Sequence, residues 1–169
     1  MGSLAPQKYG MAGRSTDGAI APQLLDGASA PATGTRRLRT FLVEDNEIIR
    51  ENLVATLQEL ALVDVVGTAV DEWTAVQWLL EPENACDLAI VDIFLKSGSG
   101  LGVLRGVAAA QPPRRTVVLS NYATADMRRK CLELGADDVF DKSNDIDALL
   151  RYCHALAAMP EGTAGPGRN

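Results

Sequence analysis

The stretch LAIVDIFLKSGSGLGVL, residues 88–104, decides the fold. Its first four residues are an unbroken apolar run, short enough for a strand and too uniform for a sheet with one wet face. Asp92 closes the run. A loop with Gly98 and Gly100 follows, and then a helical stretch over about residues 101–110, stopped by Pro112 and Pro113. A strand buried on both faces and followed by a helix is the repeating unit of a parallel sheet clad in helices.

The same unit recurs to either side. Residues 40–43 (TFLV) form a strand, and Asn46 caps the next helix with Glu47 in its first turn. That helix carries Ile49, Leu53, Leu57 and Leu60 at spacings of three and four. Residues 63–70 are β-branched and extended. Asp71 caps a second helix through Trp73, Val76, Leu79 and Leu80, which ends near Pro82. Residues 116–119 are a fourth strand, and 125–134 a helix closed by Gly135. Residues 139–140 are a short fifth strand, and 146–158 the last helix. The class is therefore α/β: a five-stranded parallel sheet with five helices on both faces and right-handed crossovers.

Composition agrees with one domain of ordinary core size: 169 residues, 47% hydrophobic and 22% charged. A net charge of -6 speaks against a nucleic-acid surface, and the run Arg36, Arg37, Arg39 is too short to reverse that. Cys86, Cys131 and Cys153 have no metal-site spacing and fit a reducing compartment. No secretory signal or bilayer-length apolar stretch appears, so a cytoplasmic protein without membrane contact is expected. Residues 1–36 are dominated by Gly, Ala, Pro, Ser and Thr and read as a disordered or weakly docked tail, with residues 20–25 as its one candidate docking segment. Residues 37–158 form the domain, and 159–169 a flexible end.

In open parallel sheets ligands bind beyond the carboxyl ends of the strands. Those ends read Glu44-Asp45, Asp92, Ser120 and Lys142. Three adjacent carboxylates repel by about 4 kcal/mol per pair at an effective dielectric of ~20, so a proton or a divalent cation must relieve them. An all-oxygen set without His or Cys favours Mg²⁺. Asp45 and Asp92 are the direct ligands in this reading, the Phe94 carbonyl is a third, and Glu44 acts through water. Asp92 would attack phosphorus in line, with Lys142 and the Ser120 hydroxyl holding phosphoryl oxygens.

With FLVEDNEIIRENL (41–53), LAIVDIFLKSGSGLGVL (88–104), VVLSNYA (117–123) and GADDVFDKS (135–143), the chain resembles the receiver domain of two-component response regulators over residues 37–158. The resemblance implies the flavodoxin-like strand order 2-1-3-4-5. It also implies Mg²⁺-dependent phosphoryl transfer to Asp92 from a histidine kinase or phosphotransfer protein, followed by hydrolysis. Little chain follows Ala158, which reads as a stand-alone receiver, not an enzyme beyond its own phosphorylation and dephosphorylation. Its output would be a protein partner, and a homodimer is left open. The family's output face is helix four, strand five and helix five, here Met127, Arg128, Lys130, Cys131, Asp145, Leu149 and Arg151.

Several positions depart from the family pattern. Ser143 stands where many receivers carry a cis proline, which leaves a trans bond open. Val139 occupies the aromatic switch position, with Phe140 one step later. Phe94 and Tyr122 are bulky at positions that tune dephosphorylation, which predicts a long-lived phosphoform. Among rivals, a haloacid-dehalogenase-like phosphatase needs a second Asp where Phe94 stands, and a flavodoxin-like binder would place phosphate against Glu44-Asp45. A phosphorylation-independent receiver-like module would not need the complete acid, hydroxyl and lysine set. His154, the lone histidine, reads as a surface residue.

Overall fold

The structure, a computed structural model, describes residues 36–110 and 114–160. The expected tails, including the 20–25 segment, lie outside those residues apart from their inner edges. In chain order the elements are β1 Leu38–Val43, α1 Glu47–Leu60, β2 Val63–Ala69, α2 Glu72–Leu80 and β3 Leu88–Val91. Then come α3 Gly100–Val107, β4 Arg115–Ser120, α4 Ala125–Glu133, β5 Asp138–Asp141 and α5 Ile146–Ala157. The five strands are parallel in the order β2-β1-β3-β4-β5.

Alternation along each strand divides the core between the two faces. Leu42 and Ile90 point to α1 and α5, where they meet Leu53, Leu57, Leu149 and Cys153. Phe41, Ala89 and Val91 point the other way, to Ala75 and Leu79 of α2 and Val103 of α3. Further along that face Val118 and Val139 meet Leu104 and Cys131. Each fully buried aliphatic side chain here contributes about 1.5–3 kcal/mol, which is why the β3 run had to be apolar throughout.

Local signals set the helix ends. Asn46 accepts from the Ile49 N–H and Asp71 from the Thr74 N–H. Thr124 caps α4, and Gly135 beyond its other end takes a φ of 97° that a side chain would resist. Some expectations are corrected. The strand predicted over 40–43 begins at Leu38, which is buried, and the Arg39 N–H is bound by the Asp87 carboxylate. Helix three ends at Val107, short of the predicted 110. Trp73 is 72% exposed and Leu60 60% exposed, so neither belongs to a buried stripe; in α2 the smaller Ala75 faces the sheet instead. Met159, expected to fray, packs partly against the core. Among the described residues no helix is long and apolar enough to cross a membrane.

Candidate functional site

The parallel register brings the ends of β1 and β3 side by side, since Val43 pairs with Val91 and the Asp92 N–H donates to the Val43 carbonyl at 2.9 Å. The next residues of both strands are acids. One carboxylate oxygen from each of Glu44, Asp45 and Asp92 lies within 4.8 Å of the others. Glu44 is almost wholly buried, Asp92 nearly so, and Asp45 half-buried.

Lys142, the first residue past β5, crosses the edge of the sheet to this cluster. Its Nζ lies 2.5 Å from Glu44 Oε2 and 2.7 Å from Asp92 Oδ2. Burial opposes the ammonium charge, but the hydrogen bonds to Asp92 and Glu44 outweigh it and hold the Lys142 pKa above its ordinary value. The expectation that only a proton or a metal could relieve the acids is corrected here, because Lys142 already balances one of three negative charges. Two remain, a load that suits a hard divalent cation held by oxygen donors.

Ser120 ends β4 fully buried, and its Oγ accepts from the Tyr122 N–H at 3.3 Å. Its carbonyl receives the Lys142 N–H at 3.1 Å, which ties the ends of β4 and β5 together. Phe94 reaches Asp92 through its own N–H, 3.4 Å from Oδ1. The Gly100 N–H donates to the carbonyl of Ile93, not to that of Phe94. The rings of Phe94 and Tyr122, both more than half exposed, meet edge to face with centroids 4.9 Å apart. Glu44, Asp45, Asp92, Ser120 and Lys142 thus lie together at the carboxyl-terminal edge of the sheet.

A cleft of about 380 Å³ opens beside Asp45, lined also by Glu47, Arg50, Val70, Asp71, Lys96 and Ser97. Arg50 donates to the Glu44 carbonyl at 3.0 Å. Sequence reasoning passed over Asp71, Lys96 and Arg50. Capping α2 already explains Asp71, and the position of Lys96 in the loop after Asp92 is its one signal.

The predicted output face needs correction. Cys131 and Leu149 are core residues, 0% and 1% exposed, and present no surface. Arg128 stays partly exposed but is folded back onto the domain: it donates to the Ala123 carbonyl at 3.0 Å, to the Val139 carbonyl, and to Asp145 Oδ2 at 2.9 Å. The Asp141 N–H and the Arg128 guanidinium together hold the Asp145 carboxyl below the usual range. Lys130 and Arg151 stay exposed. Val139 is buried toward α4, whereas Phe140 faces the opposite side and packs against Tyr152. Phe140 therefore cannot stand in for an aromatic at position 139. Ser143 uses its N–H, which a proline would lack, to bind Asp141 Oδ1 at 2.7 Å.

Comparison with known proteins points the same way. The family model for the response regulator receiver domain matches residues 40–154. A protein-glutamate methylesterase/protein-glutamine glutaminase of Anaeromyxobacter dehalogenans is 33% identical over 146 residues, covering 82% of this chain and 39% of that protein. A cyclic di-GMP phosphodiesterase of Thermotoga maritima is 30% identical over 120 residues, covering 70% and 31%. The chain therefore spans well under half the length of these relatives. The response regulator domain of Thermotoga maritima CheB superposes with a TM-score of 0.64 at 22% identity, over 74% of this chain and 99% of that one, a likeness of fold.

Proposed function

The chain belongs to the response regulator receiver domain family of two-component systems, and from that premise we propose that Asp92 accepts a phosphoryl group from the phosphohistidine of a kinase or phosphotransfer protein. The observation that carries this reading is Lys142, from the end of β5, lying between Glu44 of β1's end and Asp92 of β3's end at 2.5 and 2.7 Å. A lysine so placed gives the Asp92 nucleophile a neighbouring counter-charge and stands ready to turn to an incoming phosphoryl oxygen.

In the proposed step an Asp92 carboxylate oxygen forms a bond to phosphorus while the N–P bond of the donor breaks. The bonding pair leaves with the imidazole, which takes up a proton. Asp45, Asp92 and the Phe94 carbonyl would hold Mg²⁺, and Glu44 would act through water. When bound, the ion supplies neutralisation of charge on the phosphoryl oxygens. Ser120 donates its hydroxyl to a third oxygen. In doing so it draws the β4–α4 loop, and with it Ala123, whose carbonyl Arg128 grips. The signal then leaves to a protein partner through the surface around α4 and β5, with Lys130 rather than Cys131 exposed there.

The test is beryllofluoride with Mg²⁺ followed by two-dimensional NMR. Shifts are expected for the amides near Asp92, Ser120 and Lys142, and an unchanged spectrum would overturn the reading. The Phe94–Tyr122 ring pair supports a water-shielded, long-lived phosphoform. Phe94→Asn is expected to shorten its half-life about tenfold, equivalent to ~1.4 kcal/mol of barrier; a wild-type half-life of seconds or less would contradict the shielding.

A further inference from the structure

The loop from Asp92 to Gly100 is held at its far limb by a residue of another element. Glu72, the first residue of α2, accepts the Ser99 N–H on Oε2 at 2.8 Å and donates its own N–H to the Ser97 carbonyl at 3.2 Å. Its carboxylate lies at the amino end of α3, where negative charge is favoured. Two glycines make the space. A methyl group at Gly98, whose φ is 75°, would overlap the Glu72 side chain, and one at Gly102 would overlap its carboxylate.

Ser99 in turn is paired with Phe94 in an antiparallel bridge, closed by the Gly100 N–H on the Ile93 carbonyl at 2.9 Å. Gly100 itself lies so close to the Asp92 carbonyl that a side chain would collide with it. Holding Ser99 therefore holds Phe94 and the first residues of the loop. We infer that Glu72 is a positioning residue for the acidic site: through Ser99 it fixes the Phe94 carbonyl where a divalent cation shared with Asp45 and Asp92 needs it. The inference rests on the receiver reading above.

Outer partners that orient metal ligands typically contribute tenfold or more to affinity. Glu72→Ala is expected to raise the Mg²⁺ dissociation constant about tenfold. It should also accelerate exchange of the Ser99 amide in the metal-free protein. Glu72→Gln keeps an oxygen acceptor for the Ser99 N–H and should stay close to wild type in both measurements.

Gly102→Ala gives the sharper test. Alanine favours helix over glycine, and the atoms it would meet are the flexible end of Glu72, so Tm should hold or rise. The displaced carboxylate should nonetheless cost Mg²⁺ affinity as Glu72→Ala does, an outcome that simple destabilisation does not produce. Wild-type Mg²⁺ affinity in both Glu72→Ala and Gly102→Ala would overturn the inference alone. A wild-type protein that binds no Mg²⁺ would overturn the receiver chemistry on which it rests.

Discussion

The strand-end cluster and the Arg128 clasp are both charged groups gripped between elements, yet they are balanced in opposite ways. At the strand ends three carboxylates share one ammonium, so negative charge is left over. Around Arg128 a single guanidinium meets two carbonyls and one carboxylate, and nothing is left over. On the function proposed above, the first arrangement is the one that a cation would complete. The second is balanced within itself, and ties the β4–α4 loop, β5 and the residue before α5 to one side chain. A site that must bind keeps an unpaid charge; a latch does not.

The largest way to break this contrast is Lys142→Met. It leaves Glu44 and Asp92 buried with no counter-charge, and removing one partner of a buried pair typically costs about 3–5 kcal/mol. Denaturant unfolding should show that loss, with part of it restored by Mg²⁺. A smaller effect of opposite sign is expected for Asp45→Asn. Asp45 adds repulsion to a cluster in which Lys142 reaches Glu44 and Asp92, so its neutralisation should stabilise the metal-free protein by about 1–2 kcal/mol while abolishing Mg²⁺ binding.

The smallest effect is a matter of pH. The Asp145 carboxyl is held below its ordinary 3.8, so its contribution to stability is complete above that value and is lost as pH falls through its lowered pKa. Lys142 is raised above 10.5, so its contribution is complete below that value and is lost as pH rises through the higher one. The clasp should therefore loosen in acid and the cluster in strong alkali. In a series of Tm against pH, Asp145→Asn should flatten only the acid limb; a change confined to the alkaline limb would refute the assignment.

Much of the acid cluster was legible because its information is local. A strand such as Leu88–Val91 must be apolar to be buried on both faces, and the residue after it is placed by the chain itself. The caps Asn46 and Asp71 are read within three residues. The clasp was not legible. Arg128 and Asp145 are 17 residues apart, and nothing in α4 says that one arginine folds back onto the domain while Lys130 stays in water. Glu72 and Ser99 are 27 apart, and the trace of their contact is two glycines, Gly98 in the loop and Gly102 in α3, that nothing in the sequence ties to Glu72. Trp73 misled for the same reason: helical spacing identifies stripes, but packing chooses which stripe faces the sheet.

The central claim is that Asp92 is the acceptor, and intact-mass analysis after incubation with Mg²⁺ and a small phosphodonor tests it most directly. Wild type should gain a single phosphoryl group, and both Asp92→Asn and wild type treated with a metal chelator should gain none. Equal labelling of Asp92→Asn, or no labelling of wild type, would contradict the account.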